Sequence, residues 1–106
     1  MSNRVGAPPG ARVHWLLLHL SKEFTKKYIL LNNYSKHEYV FLRYKKRKLY
    51  DIFIITRTSI HRWKCVYFNA ITQTIERCST RKSVDMAYCM EMINETYDNA
   101  LKGENP

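Results

Sequence analysis

Between Arg43 and Lys64 the chain carries eight basic residues, Arg43, Lys45, Lys46, Arg47, Lys48, Arg57, Arg62 and Lys64, against the single acid Asp51. Guanidinium and ammonium groups pair with phosphate oxygens, and the counterions this releases supply much of the affinity for nucleic acid. Aromatic residues are threaded through the same stretch. Tyr44 and Tyr50 flank the Lys45–Lys48 run, and Trp63 stands between Arg62 and Lys64. Rings placed among phosphate-pairing groups can stack on unpaired bases, although each can equally serve cross-strand packing. The residues expected to contact nucleic acid are Arg43, Tyr44, Lys45, Lys46, Arg47, Lys48, Arg57, Arg62, Trp63 and Lys64, with Arg81 and Lys82 ahead of the last helix.

No constellation for bond-making chemistry accompanies them. Glycine occurs three times, at Gly6, Gly10 and Gly103, so no phosphate-cradling loop can be written, and neither GxSxG nor HExxH is present. His14, His19, His37 and His61 show no ligand spacing with Cys65, Cys78 and Cys89, which form no CxxC pair. The expectation is a protein that is not an enzyme, with no cofactor, no metal and no small-molecule substrate. Three cysteines give no disulfide framework and suit reduced thiols in the cytoplasm. The KKRK run also has the look of a nuclear-import signal. Asn33 and Asn94 begin N-x-S/T triplets, which matter only in a secreted chain. The apolar run from Val13 to Leu20 is short and broken by His14 and His19, so neither a signal peptide nor a membrane span is expected.

The 106 residues suffice for one domain, and a 45% hydrophobic content separates it from disordered tails despite a net charge of +9 and a pI near 9.6. That charge is polarised. Eight bases and one acid give +7 over residues 43–64, whereas Asp85, Glu91, Glu95, Asp98 and Glu104 against Lys102 give −4 over residues 85–106.

Residues 1–10 hold most of the Pro and Gly and read as a flexible lead-in. Val13, Leu16, Leu17, Leu20 and Phe24 then recur at helical spacing, predicting one helix over 11–27 widened by Trp15 and Leu18. A Tyr- and Asn-rich stretch, ILLNNYSKH, reads as a loop or irregular edge. Three strand-like runs follow, Glu38–Tyr44, Leu49–Thr58 and Arg62–Ile71, joined by connections short enough for antiparallel hairpins. Thr72–Cys78 either extends the third strand or forms another. A last helix is expected over 83–102, its inner face set by Met86, Met90, Ile93, Tyr97, Ala100 and Leu101. Ser79, Thr80 or Ser83 would cap it and Gly103 would stop it. The implied fold is α+β, in the order α-β-β-β-α, with a three-stranded antiparallel sheet and both helices on one face. Its open edge would favour a homo- or heterodimer.

This course of elements resembles the Alu-domain subunits of the signal recognition particle. The resemblance is spread over residues 16–102. It rests on L-x-x-L-x-x-x-F-x-K (Leu17, Leu20, Phe24, Lys26), the strand V-F-L-R-Y ending at Tyr44, and K-C-V-Y from Lys64. S-T-R-K-S-V-D-M-A-Y from Ser79 and a terminal A-L-K from Ala100 continue it. The resemblance implies a ribonucleoprotein subunit, joined to a similar one through the sheets, with Arg43, Lys45, Lys46, Arg47, Arg57, Arg62 and Lys64 facing RNA. The chain departs from that family in lacking its Gly-containing turns and long lysine-rich tail. The double-stranded RNA-binding domain is similar in topology and in the bases Arg81 and Lys82, but its Gly-Pro-x-His loop and Lys-Lys-x-Ala-Lys run are missing. The leading expectation is binding of structured RNA through a basic β-surface. The alternatives are an accessory protein that sequesters double-stranded RNA, such as a viral suppressor of RNA-based defence, or an adaptor for an acidic protein. A membrane partner is not expected, since no helix is both basic on one face and strongly apolar on the other.

Overall fold

The structure, a computed structural model, describes residues 15–31, 38–79 and 85–104. The lead-in at residues 1–10, the helix start at 11–14, Asn33, Arg81 and Lys82 lie outside the described residues.

The predicted helix over 11–27 is two helices. α1 covers 15–19 among the described residues, and α2 runs Lys22–Lys27. The break falls at Ser21, whose hydroxyl caps α2 by accepting from the Phe24 backbone N–H at 3.1 Å. A side chain from the far end of the sequence holds the joint. Asn94 accepts from the Ser21 N–H at 3.0 Å and donates to the His19 carbonyl at 3.1 Å, satisfying backbone groups that the break leaves over. Leu16, Leu20 and Phe24 are buried as the stripe required, but Trp15, Leu17 and Leu18 are exposed rather than part of the packing face.

Among the described residues the sheet has five antiparallel strands in sequential order, not the three expected. They are β1 (Ile29–Leu31), β2 (Glu38–Lys45), β3 (Lys48–Ser59), β4 (Arg62–Asn69) and β5 (Thr74–Cys78). The additional strands are the short edges. β1 is carved from the expected loop, and β5 is a separate strand rather than an extension of β4. α3 follows over Met86–Glu104. Asp85 caps it, accepting from the Tyr88 N–H at 2.9 Å. The Ser79 hydroxyl instead accepts from the Cys65 N–H at 3.0 Å, and the other expected caps, Thr80 and Ser83, lie outside the described residues. Gly103 lies inside the helix with no left-handed backbone, so it is not the stop.

Burial alternates along the central strands. Tyr39, Phe41, Arg43, Asp51, Phe53, Ile55, Trp63, Cys65 and Tyr67 are buried beneath the helices. Phe24 sits at the middle of this layer, edge-on to Phe41, Phe53 and Tyr97 and stacked on Tyr28. From α3 come Cys89, Met90, Met92, Ile93, Thr96 and Tyr97. The helices thus share one face of the sheet, as patterning implied.

The opposite, outer face has a definite register. One row crosses all five strands as Leu31–Val40–Ile54–Val66–Cys78, and the next as Ile29–Leu42–Ile52–Phe68–Ile75. Every one of these side chains is half-buried or exposed, and no helix among the described residues packs over them.

Candidate nucleic-acid interface

The longest basic run forms the β2–β3 turn. Lys45 pairs with Lys48, leaving a two-residue loop of Lys46 at φ 50° and Arg47 at φ 68°. Positive φ at both central residues is the type I′ geometry, whose twist matches a hairpin and which ordinarily takes Asn-Gly. There the Cβ of an L residue crowds the following carbonyl, at roughly 1–2 kcal/mol per residue. Two basic residues are held in strained positions at the tip, and Lys45, Lys46, Arg47 and Lys48 are all exposed. Tyr44 beside them is 49% exposed, and the Lys45 ammonium lies 4.5 Å from the Tyr50 ring centre. Because Ile29 pairs with Leu42, the last turn of α2, carrying Lys26 and Lys27, comes to the same end of the sheet. Those two lysines escaped the sequence reading because they belong to a different element.

Arg43 does not join this surface. It is 3% exposed and bound to Asp51, which is fully buried. The pair is bidentate, with Arg43 Nε at 3.0 Å from Asp51 Oδ1 and an Nη at 2.7 Å from Oδ2. Tyr28 and Tyr67 donate their hydroxyls to the same carboxylate at 2.8 and 2.6 Å. Regular strand alternation sets Arg43 and Asp51 on the helix-facing side directly opposite one another, and a β-bulge follows them. The pairing steps from Arg43–Asp51 to Tyr44–Leu49, and the surplus residue Tyr50 turns the same way as Asp51. The Arg43 guanidinium is packed 4.7 Å from the Tyr50 ring centre and 5.3 Å from that of Tyr28. Burial first, then the Asp51 charge, drives the Tyr28 hydroxyl far above the ordinary tyrosine range. Burial and the bond to Asp51 do the same to Tyr67.

The second basic set is at the other end of the molecule. β3 runs twelve residues between the two turns, which at about 3.3 Å per residue separates them by about 36 Å. The basic β-surface expected to carry both sets is thus divided between its two ends. The Arg57 guanidinium clasps the β3–β4 turn through the carbonyls of Ser59 and Ile60, both at 3.1 Å. Trp63 is 5% exposed and packs on Tyr39, so it is withdrawn from stacking. Arg62 and Lys64 are exposed on the outer face. Between the ends, that face is paved with aliphatic side chains, so the sheet surface itself is not basic.

The other chemistry-bearing residues are absorbed by the fold. Cys65 and Cys89 are buried free thiols and Cys78 an exposed one. A hydrogen bond to Cys89, then burial, pushes the Cys65 thiol up. No group of His, Cys, Asp or Glu among the described residues could hold a metal ion. No described helix is long and apolar enough to cross a membrane. No family model, curated protein or solved structure matches this chain; its chemistry must be read from its own residues.

Proposed function

We propose that the chain binds nucleic acid, structured RNA foremost, with the β2–β3 tip as its phosphate-contacting element. The observation that carries this reading is the tip itself, where Lys46 and Arg47 occupy left-handed positions inside a run of four exposed bases. A turn selected for stability alone would hold Asn-Gly. Backbone strain retained at an exposed cationic tip is what a functional contact would leave. Tyr44 offers a ring for an unpaired base next to those charges, which suits folded RNA better than uniform duplex.

The test is a fluorescence titration of the chain against an RNA hairpin junction, an RNA duplex, a DNA duplex and a single strand at several salt concentrations. The junction is expected to bind best. Four phosphate contacts predict a log–log salt slope of about −3 to −4. Reversing Lys45, Lys46, Arg47 and Lys48 to Glu should weaken binding by roughly 100-fold or more and remove most of that slope. Preference for duplex regardless of sequence would transfer the site to a sequestering role. No binding near physiological salt would leave the tip to an acidic protein and sink the RNA reading.

A gentler substitution separates strain from charge. Lys46→Asn with Arg47→Gly is expected to stabilise the fold by about 1–2 kcal/mol, read as a higher urea midpoint. The same variant should bind RNA roughly tenfold more weakly for want of two charges. An unchanged or lowered midpoint would show that the turn is not strained.

A further inference from the structure

We propose that the outer face of the sheet joins two copies of this chain face to face in a symmetric dimer. The two apolar rows cross every strand without a polar interruption, and contiguous exposed apolar surface with a polar rim marks an interaction site. The edges are poor candidates for joining copies. β1 has three residues and β5 five, and short edge strands discourage strand addition.

The rim specifies the second copy as occupant. Beyond the Leu31–Cys78 row lies a polar row in which Glu38 on β2 and Lys64 on β4 flank Thr56 on β3. A two-fold axis lying in the interface along β3 exchanges the β2 and β4 sides. It sets Glu38 of each copy over Lys64 of the other, while apolar rows meet apolar rows. The axis thus converts one row's opposite charges into two complementary contacts, which a generic apolar partner would not require. Five strands about 4.8 Å apart, and four rows about 7 Å apart counting the flanking ones, present roughly 600 Å² per copy. Two such faces reach about 1,200 Å², the lower end of stable interfaces. Aligned sheets then stack about 10 Å apart as a sandwich. The same axis places both β2–β3 tips at one end of the assembly.

Sedimentation of the full chain, free of nucleic acid, over roughly 1–100 µM tests this. It is independent of the RNA reading, since no RNA is present. A reversible dimer is expected. Ile54→Lys, at the centre of the face, should weaken it by about 100-fold or more with an unchanged circular dichroism spectrum. Should that variant fail to fold, the rim provides a second measurement. Glu38→Lys and Lys64→Glu should each weaken association by about tenfold, and the double exchange should return it to within about threefold of the parent. A monomer throughout the range, or a dimer untouched by Ile54→Lys, overturns the proposal. So does a double exchange no tighter than either single one. A monomer that floats with phosphatidylserine vesicles would overturn it in favour of a lipid surface.

Discussion

Asp51→Ala is expected to destabilise the fold by about 3–5 kcal/mol, the range found when one member of a buried ion pair is removed. Asp51 is fully buried, and four donors converge on it from Arg43, Tyr28 and Tyr67. Without the carboxylate, a buried guanidinium and two hydroxyls are left unsatisfied, and each such group retains its desolvation penalty. For a domain of this size, with about 5–15 kcal/mol in total, that is a large share. The asymmetry of the pair supplies the control. Arg43→Met combined with Asp51→Leu removes both charges together and should cost less than Asp51→Ala alone, because nothing charged stays behind. Urea unfolding of the single and double variants measures both. A loss under about 1 kcal/mol for Asp51→Ala would mean that water reaches the cluster. This result also bears on RNA binding. Arg43 variants should lose binding only as far as they unfold, whereas the tip variants should lose it while folded.

The same cluster should make the protein sensitive to alkali. Tyr28 and Tyr67 have hydroxyl pKa values raised far above the ordinary one, by burial foremost. In the unfolded chain they titrate near pH 10. Above that pH the unfolded state has released protons that the native state still holds, so the unfolded state binds fewer and stability falls as pH rises. The contribution is complete below about pH 10 and is lost above it, at up to about 2.7 kcal/mol per pH unit for the two groups together. Circular dichroism followed with tyrosinate absorbance should therefore show unfolding coincide with ionisation of these residues. Tyr28→Phe with Tyr67→Phe should flatten the pH dependence, though the variant begins less stable. Ionisation of both tyrosines near pH 10 with the fold intact would contradict the buried geometry.

Much of this was legible in the residues alone, wherever the deciding physics is local. The aromatic and branched residues of Glu38–Tyr44 and Leu49–Thr58, bounded by a polar stretch and a basic turn, marked two central strands. The helical spacing of Met86, Met90, Ile93, Tyr97, Ala100 and Leu101 marked the inner face of α3, on which Met90, Ile93 and Tyr97 are buried and Met86, Ala100 and Leu101 half-buried. The KKRK run announced an exposed turn, because four adjacent cations cannot be desolvated together.

Tertiary structure decided what depends on partners distant in sequence. The 11–27 stripe is periodic across Ser21, and its break is made worthwhile by Asn94, 73 residues away along the chain. Ile29–Leu31 is too short to signal a strand, and becomes one only because β2 supplies its hydrogen bonds. Arg43 carries the same charge as Lys45 and Arg47. The alternation it shares with the buried Phe41 turns it inward, and the register of β2 on β3 sets it opposite Asp51, where Tyr28 joins the pair. The two basic sets share a short stretch of chain, yet the rigid length of β3 holds them at opposite ends. Local periodicity reports how a residue meets its immediate neighbours; which charge is buried and which face stays open depends on long-range pairing, which appears only once the sheet has closed its register.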